Sequence, residues 1–240
     1  MARKSFFRTV RRLFGYIGLL LAGGLLFLWV RPLFADTLEL SGYNHASEAD
    51  VYHCLPLDGS NFAANSRIGH GAGRYYLKGR IAACALAAYA DLAQNHPEYR
   101  YIYGEMGWKG GGRFRPHRTH QQGMNADFMT PVYTLGENGE KIPAVLPCNA
   151  ANLWGYNIRV DEEGRYEEYR LDTGAMIAHL AALKKHAPRY GVKVERVIFD
   201  PPLLKLLRAD PDFKMLGNMV FMEKKAWFPH DGHYHVDFAR

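Results

Sequence analysis

Hydrophobic and polar positions along the chain follow several different periods, and each predicts an element. Residues 74–95 place Leu77, Ile81, Cys84, Ala85, Ala88 and Leu92 at three- and four-residue spacing in an alanine-rich stretch. That spacing predicts a helix with one buried stripe. Pro97 ends it, because the residue before a proline is pushed out of the helical region. Residues 173–187 predict a second helix, with Asp172 as its N-cap and Ala175, Ile177, Leu180, Ala181 and Leu183 as its apolar contacts. Pro188 and Gly191 stop that helix, and Pro201-Pro202 open a third that runs through Arg208. Residues 99–103, 125–128, 194–199 and 233–238 read as strands, the second continuing past Pro131. Residues 136–139 and 161–164 read as hairpin turns. Residues 36–71 hold no period and read as an irregular entry segment. There is no internal repeat. Segregated helices with hairpin-linked strands predict an α+β fold, an antiparallel sheet flanked by helices.

One stretch lies outside this alternation. Residues 14–30 carry no charge, and five basic and no acidic residues precede them. Seventeen residues at 1.5 Å each span roughly 25 Å, near the lower limit for crossing a bilayer. The charge pattern keeps the N-terminus in the cytoplasm. An uncleaved anchor fits Trp29 and Arg31 at the outer interface. A cleaved signal fits less well, since Leu33-Phe34-Ala35 lacks the small residues that precede a cut. A buried core helix would leave five flanking positive charges hard to place. The chain divides into an anchor or signal segment, 1–35, and an exported domain, 36–240.

Composition changes the picture in one respect. With 48% hydrophobic and 22% charged residues, the chain is neither disordered nor collagen-like nor a pure coiled coil. The formal charge of +6 suggests a polyanion partner at first sight. Arg3, Lys4, Arg8, Arg11, Arg12 and Arg31 account for it. Setting those six of the 30 basic residues aside leaves 24 against 24 acidic residues in 32–240. The exported domain is neutral, which argues against nucleic acid. Cys54, Cys84 and Cys148 show no Cys-x-x-Cys spacing. In an oxidising compartment Cys54–Cys148 is the disulfide to expect, with three thiols as the alternative.

The candidate chemistry lies in histidines. Of eleven, five fall in His117-Arg118-Thr119-His120 and in His230-Asp231-Gly232-His233-Tyr234-His235. Asp127 follows His120 by seven positions. Alternate residues of a strand share a face, so His233 and His235 can both look into one cleft. Two imidazoles and a carboxylate with a fourth position open make a catalytic zinc arrangement. Taken singly, a His-x-His pair near a C-terminus also fits a surface strand. Arg113, Arg115 and Arg118 read as solvated surface, or as a grip for peptide carboxylates. Trp108, Tyr103 and Trp227 read as core or cleft wall. His70, between two glycines, has no partner pattern.

The run from Gly111-Gly112-Arg113 through His117 and His120 to Gly123-Met124-Asn125-Ala126-Asp127, paired with His230-Asp231-Gly232-His233-Tyr234-His235-Val236, resembles the penicillin-insensitive murein endopeptidases. Those belong to the wider group of lysostaphin-like, D-Ala-D-Ala and hedgehog-type zinc folds. The likeness covers roughly residues 50–240. It implies Zn2+ in a cleft, held by His120, Asp127 and His235. His233 would be the catalytic histidine, with His117 and His230 lining the site and sharing in proton transfer or orienting ligands. It further implies a periplasmic endopeptidase acting on the peptide stems of peptidoglycan, tied to the membrane by its N-terminus. A D-Ala-D-Ala carboxypeptidase on the same framework, and a metal-holding wall-binding module without turnover, are the alternatives. Family members carry an acidic residue where this chain has Asn125, and altered substrate contacts are expected there. No His-Glu-x-x-His glutamate is present, so His233 is the natural proton carrier.

Overall fold

The uncharged N-terminal stretch lies within one long helix, α1 (Ala2–Val30). The computed structural model describes residues 2–35 and 37–240, apart from the side chains of 2–13 and Gly15. The basic side chains at positions 3, 4, 8, 11 and 12, and Asp36, the first residue of the expected exported domain, lie outside the described residues. The segment Tyr16–Phe34 is long and apolar enough to cross a membrane, and nearly all its side chains are exposed. It is therefore no core helix of the domain. It can serve as a signal or as an anchor.

The stretch 36–71, expected to be irregular, holds α2 (His45–Glu48), β1 (Tyr52–Cys54), β2 (Phe62–Ala64) and α3 (Arg67–Gly71). Elements of three to five residues are too short to establish a period. The long helix begins later than its stripe suggests. Residues 76–78 form β3 (Tyr76–Lys78), and α4 (Gly79–Asn95) follows directly. β1 pairs with β3 in antiparallel register, His53 opposite Leu77. Leu77 is buried either way, so its contribution to the stripe could not separate helix from strand.

The remaining elements are β4 (Tyr101–Tyr103), β5 (Asn125–Met129), β6 (Val132–Leu135), β7 (Lys141–Ala144), β8 (Arg165–Tyr166), β9 (Tyr169–Leu171), α5 (Thr173–His186), β10 (Lys193–Ile198), α6 (Pro201–Ala209) and β11 (His233–Ala239). Asp172 caps α5 as expected, its Oδ1 accepting from the Ala175 N–H at 2.9 Å. Such a cap contributes about 1 kcal/mol. The turn expected at 161–164 precedes β8; the β8–β9 hairpin itself turns through Glu167 and Glu168, with Glu167 at φ 52°.

The central sheet has five strands in the order β10-β11-β5-β4-β2. It is antiparallel except at one edge, where β2 runs parallel to β4. The strand from 125 does not continue past Pro131. β6 belongs to a separate four-stranded antiparallel sheet, β7-β6-β9-β8. The fold is thus a mixed α+β arrangement with a second sheet alongside.

Alternation along β5 and β11 decides what faces where. Ala126, Phe128, Tyr234, Val236 and Phe238 enter the core with α4 and α5. His179 of α5 lies against the rings of Phe128 and Tyr234 in that layer, and Tyr234 Oη bonds its Nδ1 at 2.7 Å. The Cys84 thiol of α4 donates to Leu183 O of α5 at 3.6 Å. Small residues along α4 permit this close approach. Cys84 and Cys148 are thiols, so the expected Cys54–Cys148 bridge is not formed. Cys54 Sγ instead lies 3.2 Å from His70 Nε2, which also meets Leu55 O at 2.8 Å. His70 is a buried structural residue.

Candidate metal centre

The other face of β5 and β11 carries Asn125, Asp127, His233, His235 and Asp237. Antiparallel register sets His235 opposite Asp127 and Asp237 opposite Asn125. His120 reaches the same point from the preceding loop, in a left-handed conformation at φ 43°. His120 Nε2 lies 3.0 Å from Asp127 Oδ1 and 3.0 Å from His235 Nδ1, and the latter two are 2.8 Å apart. Three donor atoms in a triangle of this size fit a tetrahedral ion, whose edge at ~2.0–2.1 Å bonds is about 3.3 Å. All three residues are buried.

Each imidazole is oriented by its other nitrogen. His120 Nδ1 donates to Met106 O at 2.9 Å. His235 Nε2 donates to Asp237 Oδ1 at 2.8 Å. The remaining nitrogen of each ring is thereby turned toward Asp127, which is the support expected around a metal site. Arg196 Nε in turn donates to Asp237 Oδ2 at 2.9 Å. Asn125 Nδ2 donates to Asp237 Oδ1 at 2.5 Å. The Asn125 side chain thus serves the carboxylate behind His235.

His117 stands nearer the centre than a cleft-lining role suggests. His117, His120 and Asp127 offer ligand atoms within 4.8 Å of one another, a group that can hold a metal ion. His117 Nε2 bonds Glu105 Oε2 at 2.8 Å, and its Nδ1 lies 3.6 Å from Asp127 Oδ2. Arg74 pairs with the same Glu105 through Nη2 at 2.7 Å. Burial would raise the Glu105 carboxyl, but His117 and Arg74 outweigh it and hold it below the usual range.

Electrostatics follow from this packing. Burial would also raise Asp127, yet His120 and His235 hold it well below the usual carboxylate range. Burial works against a charged His235, but Asp127 and Asp237 raise it to about 9. Asp237 is drawn down to about 2, because His235 and Arg196 outweigh its burial. Burial lowers His233 well below the ordinary imidazole value. It also lowers His230. His233 is thus a neutral ring in the cleft, packed 4.7 Å from the rings of both Tyr156 and His230. His230 Nδ1 donates to Phe228 O at 2.7 Å.

The structure adds residues that sequence reasoning missed. Tyr156 Oη donates to Asp127 Oδ2 at 2.9 Å and accepts from the Glu105 N–H at 2.7 Å. It follows a turn in which Leu153 and Trp154 are left-handed, and nothing in sequence marks it. Glu105 and Arg74 are equally silent. Asp237 was legible, since it shares the strand face of His233 and His235 at a spacing of two. Arg113, Arg115 and Arg118 are exposed, as expected of surface. Trp227 stands at the cleft, and Tyr103 is buried core.

No protein-family model and no curated protein matches the chain.

Proposed function

We propose that the protein is an exported zinc-dependent hydrolase of peptide amide bonds, with peptidoglycan cross-link peptides as its substrate. The observation that carries this reading is the triangle of His120 Nε2, Asp127 Oδ1 and His235 Nδ1 beside an uncommitted His233. The donor set suits zinc: two imidazoles and one carboxylate, each fixed by a hydrogen bond on its far side. Zinc held there would supply Lewis acidity toward a carbonyl and an attacking water.

The chain's own residues supply the rest. His233 is neutral and faces the cleft, so it takes a proton from the attacking water and returns one to the leaving amine. His230 packs behind it and limits its rotation. Tyr156 holds the second oxygen of Asp127, leaving its first for the centre, and His117 stands beside it. Glu105 and Arg74 fix His117 in turn. A wall-binding module would need none of the cleft-facing His233.

The test is digestion of purified cross-linked sacculi by the full chain in detergent, with and without chelator, and with fragments identified by mass. Chelator-sensitive release of cleaved cross-link peptides is expected. Metal-loaded protein that binds sacculi without cleaving them would overturn the enzymatic reading. Loss of terminal D-Ala alone would favour the carboxypeptidase.

A further inference from the structure

The cleft at the metal centre extends well beyond it. It encloses about 660 Å³, ample for an organic ligand. Away from the histidines its walls are mostly apolar, with Ile68, Ala72, Leu153, Met222, Trp227 and Phe228 among them. Leu153 and Trp227 are 58% and 56% exposed there. Large apolar side chains left exposed together along one cleft mark a binding surface. Three cationic residues share the lining, Arg74, Arg118 and Lys225, of which Arg74 is paired with Glu105. The Arg118 guanidinium sits 5.1 Å from the Trp227 ring centroid.

The cleft also has a fixed place relative to the apolar span. α3 lines it through Ile68 and Gly69 and carries α1 through Arg67 and Gly71. Arg67 Nε donates to Trp29 O at 2.9 Å, and its guanidinium lies 5.0 Å from the Trp29 ring centroid. Arg31 Nη1 donates to Gly71 O at 2.9 Å. A Cβ on Gly71 would fall 1.8 Å from Leu28 O, so the two helices touch backbone to backbone. Just beyond, Leu38 N donates to Cys54 O at 3.1 Å. One short helix separates the end of the apolar span from the cleft.

We propose that the cleft takes the hydrocarbon chain of an anionic amphiphile from the outer leaflet and presents its head group to the metal centre. The proposal rests on α1 being a membrane anchor and adds a lipid ligand to the peptide substrate proposed for the same centre. Apolar walls accept the chain, Arg118 and Lys225 meet the anionic head group, and docking on α1 holds the opening at the bilayer surface. The binding step needs neither metal nor hydrolysis.

The test uses the full chain in phosphatidylcholine nanodiscs with hexadecyl phosphate bearing a diazirine at its chain end. After illumination, adducts are mapped by peptide mass. Adducts are expected within 153–156 and 222–228 as well as within 14–30, and they persist with chelator. Trp227→Glu should cut the cleft adducts about tenfold, the effect of losing one large apolar contact, while adducts on 14–30 stay unchanged. Adducts confined to 14–34 overturn the proposal. So does displacement of the cleft adducts by a soluble apolar peptide but not by unlabelled hexadecyl phosphate, which would make the cleft a peptide site. Cleft adducts without sacculus cleavage would leave this proposal standing and sink the hydrolase reading alone.

Discussion

Asp127 and His235 face each other across β5 and β11 as direct register partners, Oδ1 to Nδ1 at 2.8 Å. Without a metal, that contact keeps a proton on His235, whose imidazole is raised to about 9 against the opposing effect of burial. A metal ion must displace this proton. Affinity should therefore rise with pH, by about tenfold per unit for one proton released. Zinc titrations of metal-free protein at pH 6 and pH 8 check it. Equal affinity at both would show that His235 is no ligand.

Ligand and proton carrier should separate by mutation. His120→Ala and His235→Ala should lose zinc. His233→Ala should keep zinc and the fold while kcat/KM falls about 10²–10⁴-fold, the usual scale of general acid–base catalysis. Elemental analysis and cross-link hydrolysis on all three variants decide it. Zinc loss in His233→Ala with retention in His235→Ala reverses the assignment.

Asp237 should act on the metal through His235. Asp237→Asn keeps the shape but removes the charge that Nε2 of His235 meets at 2.8 Å. Zinc affinity should weaken about 10–100-fold, the range for such supporting carboxylates. Competition against a chelator measures it. Asn125→Ala, which removes a neutral donor to the same carboxylate, should have a smaller effect.

His179 predicts an acid sensitivity outside the site. Burial lowers it to about 3. Above pH 6.5 folded and unfolded chains both carry it neutral, and its contribution is complete. As pH falls from 6.5 toward 3 the unfolded chain takes up a proton that the folded one refuses, so stability is lost. The slope is about 1.4 kcal/mol per pH unit, or about 2 kcal/mol by pH 5. Denaturant unfolding of wild type and His179→Gln at pH 7 and pH 5 tests this. The variant should show a shallower loss, because glutamine does not titrate.

The apolar segment should deliver the domain across the membrane. A reporter that works only outside the cytoplasm, fused after Arg240, should be active. Activity restricted to a cytoplasmic reporter would refute export.

Helices were the most legible part of the fold. α5 and α6 stand where their caps and prolines put them, because those signals are local. α4 was misplaced at its start, since Leu77 satisfies a helical stripe and a three-residue strand equally. β1 and β2 were invisible for the same reason of length. The break after Met129 was missed because Pro131 was read as an interruption within one strand.

The sequence by itself determined which residues are the candidates for the chemistry. His120, Asp127, His233 and His235 are local in their motifs, and a period of two puts both strand histidines on one face. It also determined the uncharged segment that forms the end of α1. Only the tertiary structure decided that Asp127 and His235, more than a hundred residues apart, are register partners. It alone brought Tyr156 to the second oxygen of Asp127 and Glu105 and Arg74 to His117, and assigned Asn125 to Asp237. Those contacts depend on which strands pair and where a left-handed turn points the chain. Such long-range closure follows from packing the whole core, and no short window of sequence contains it.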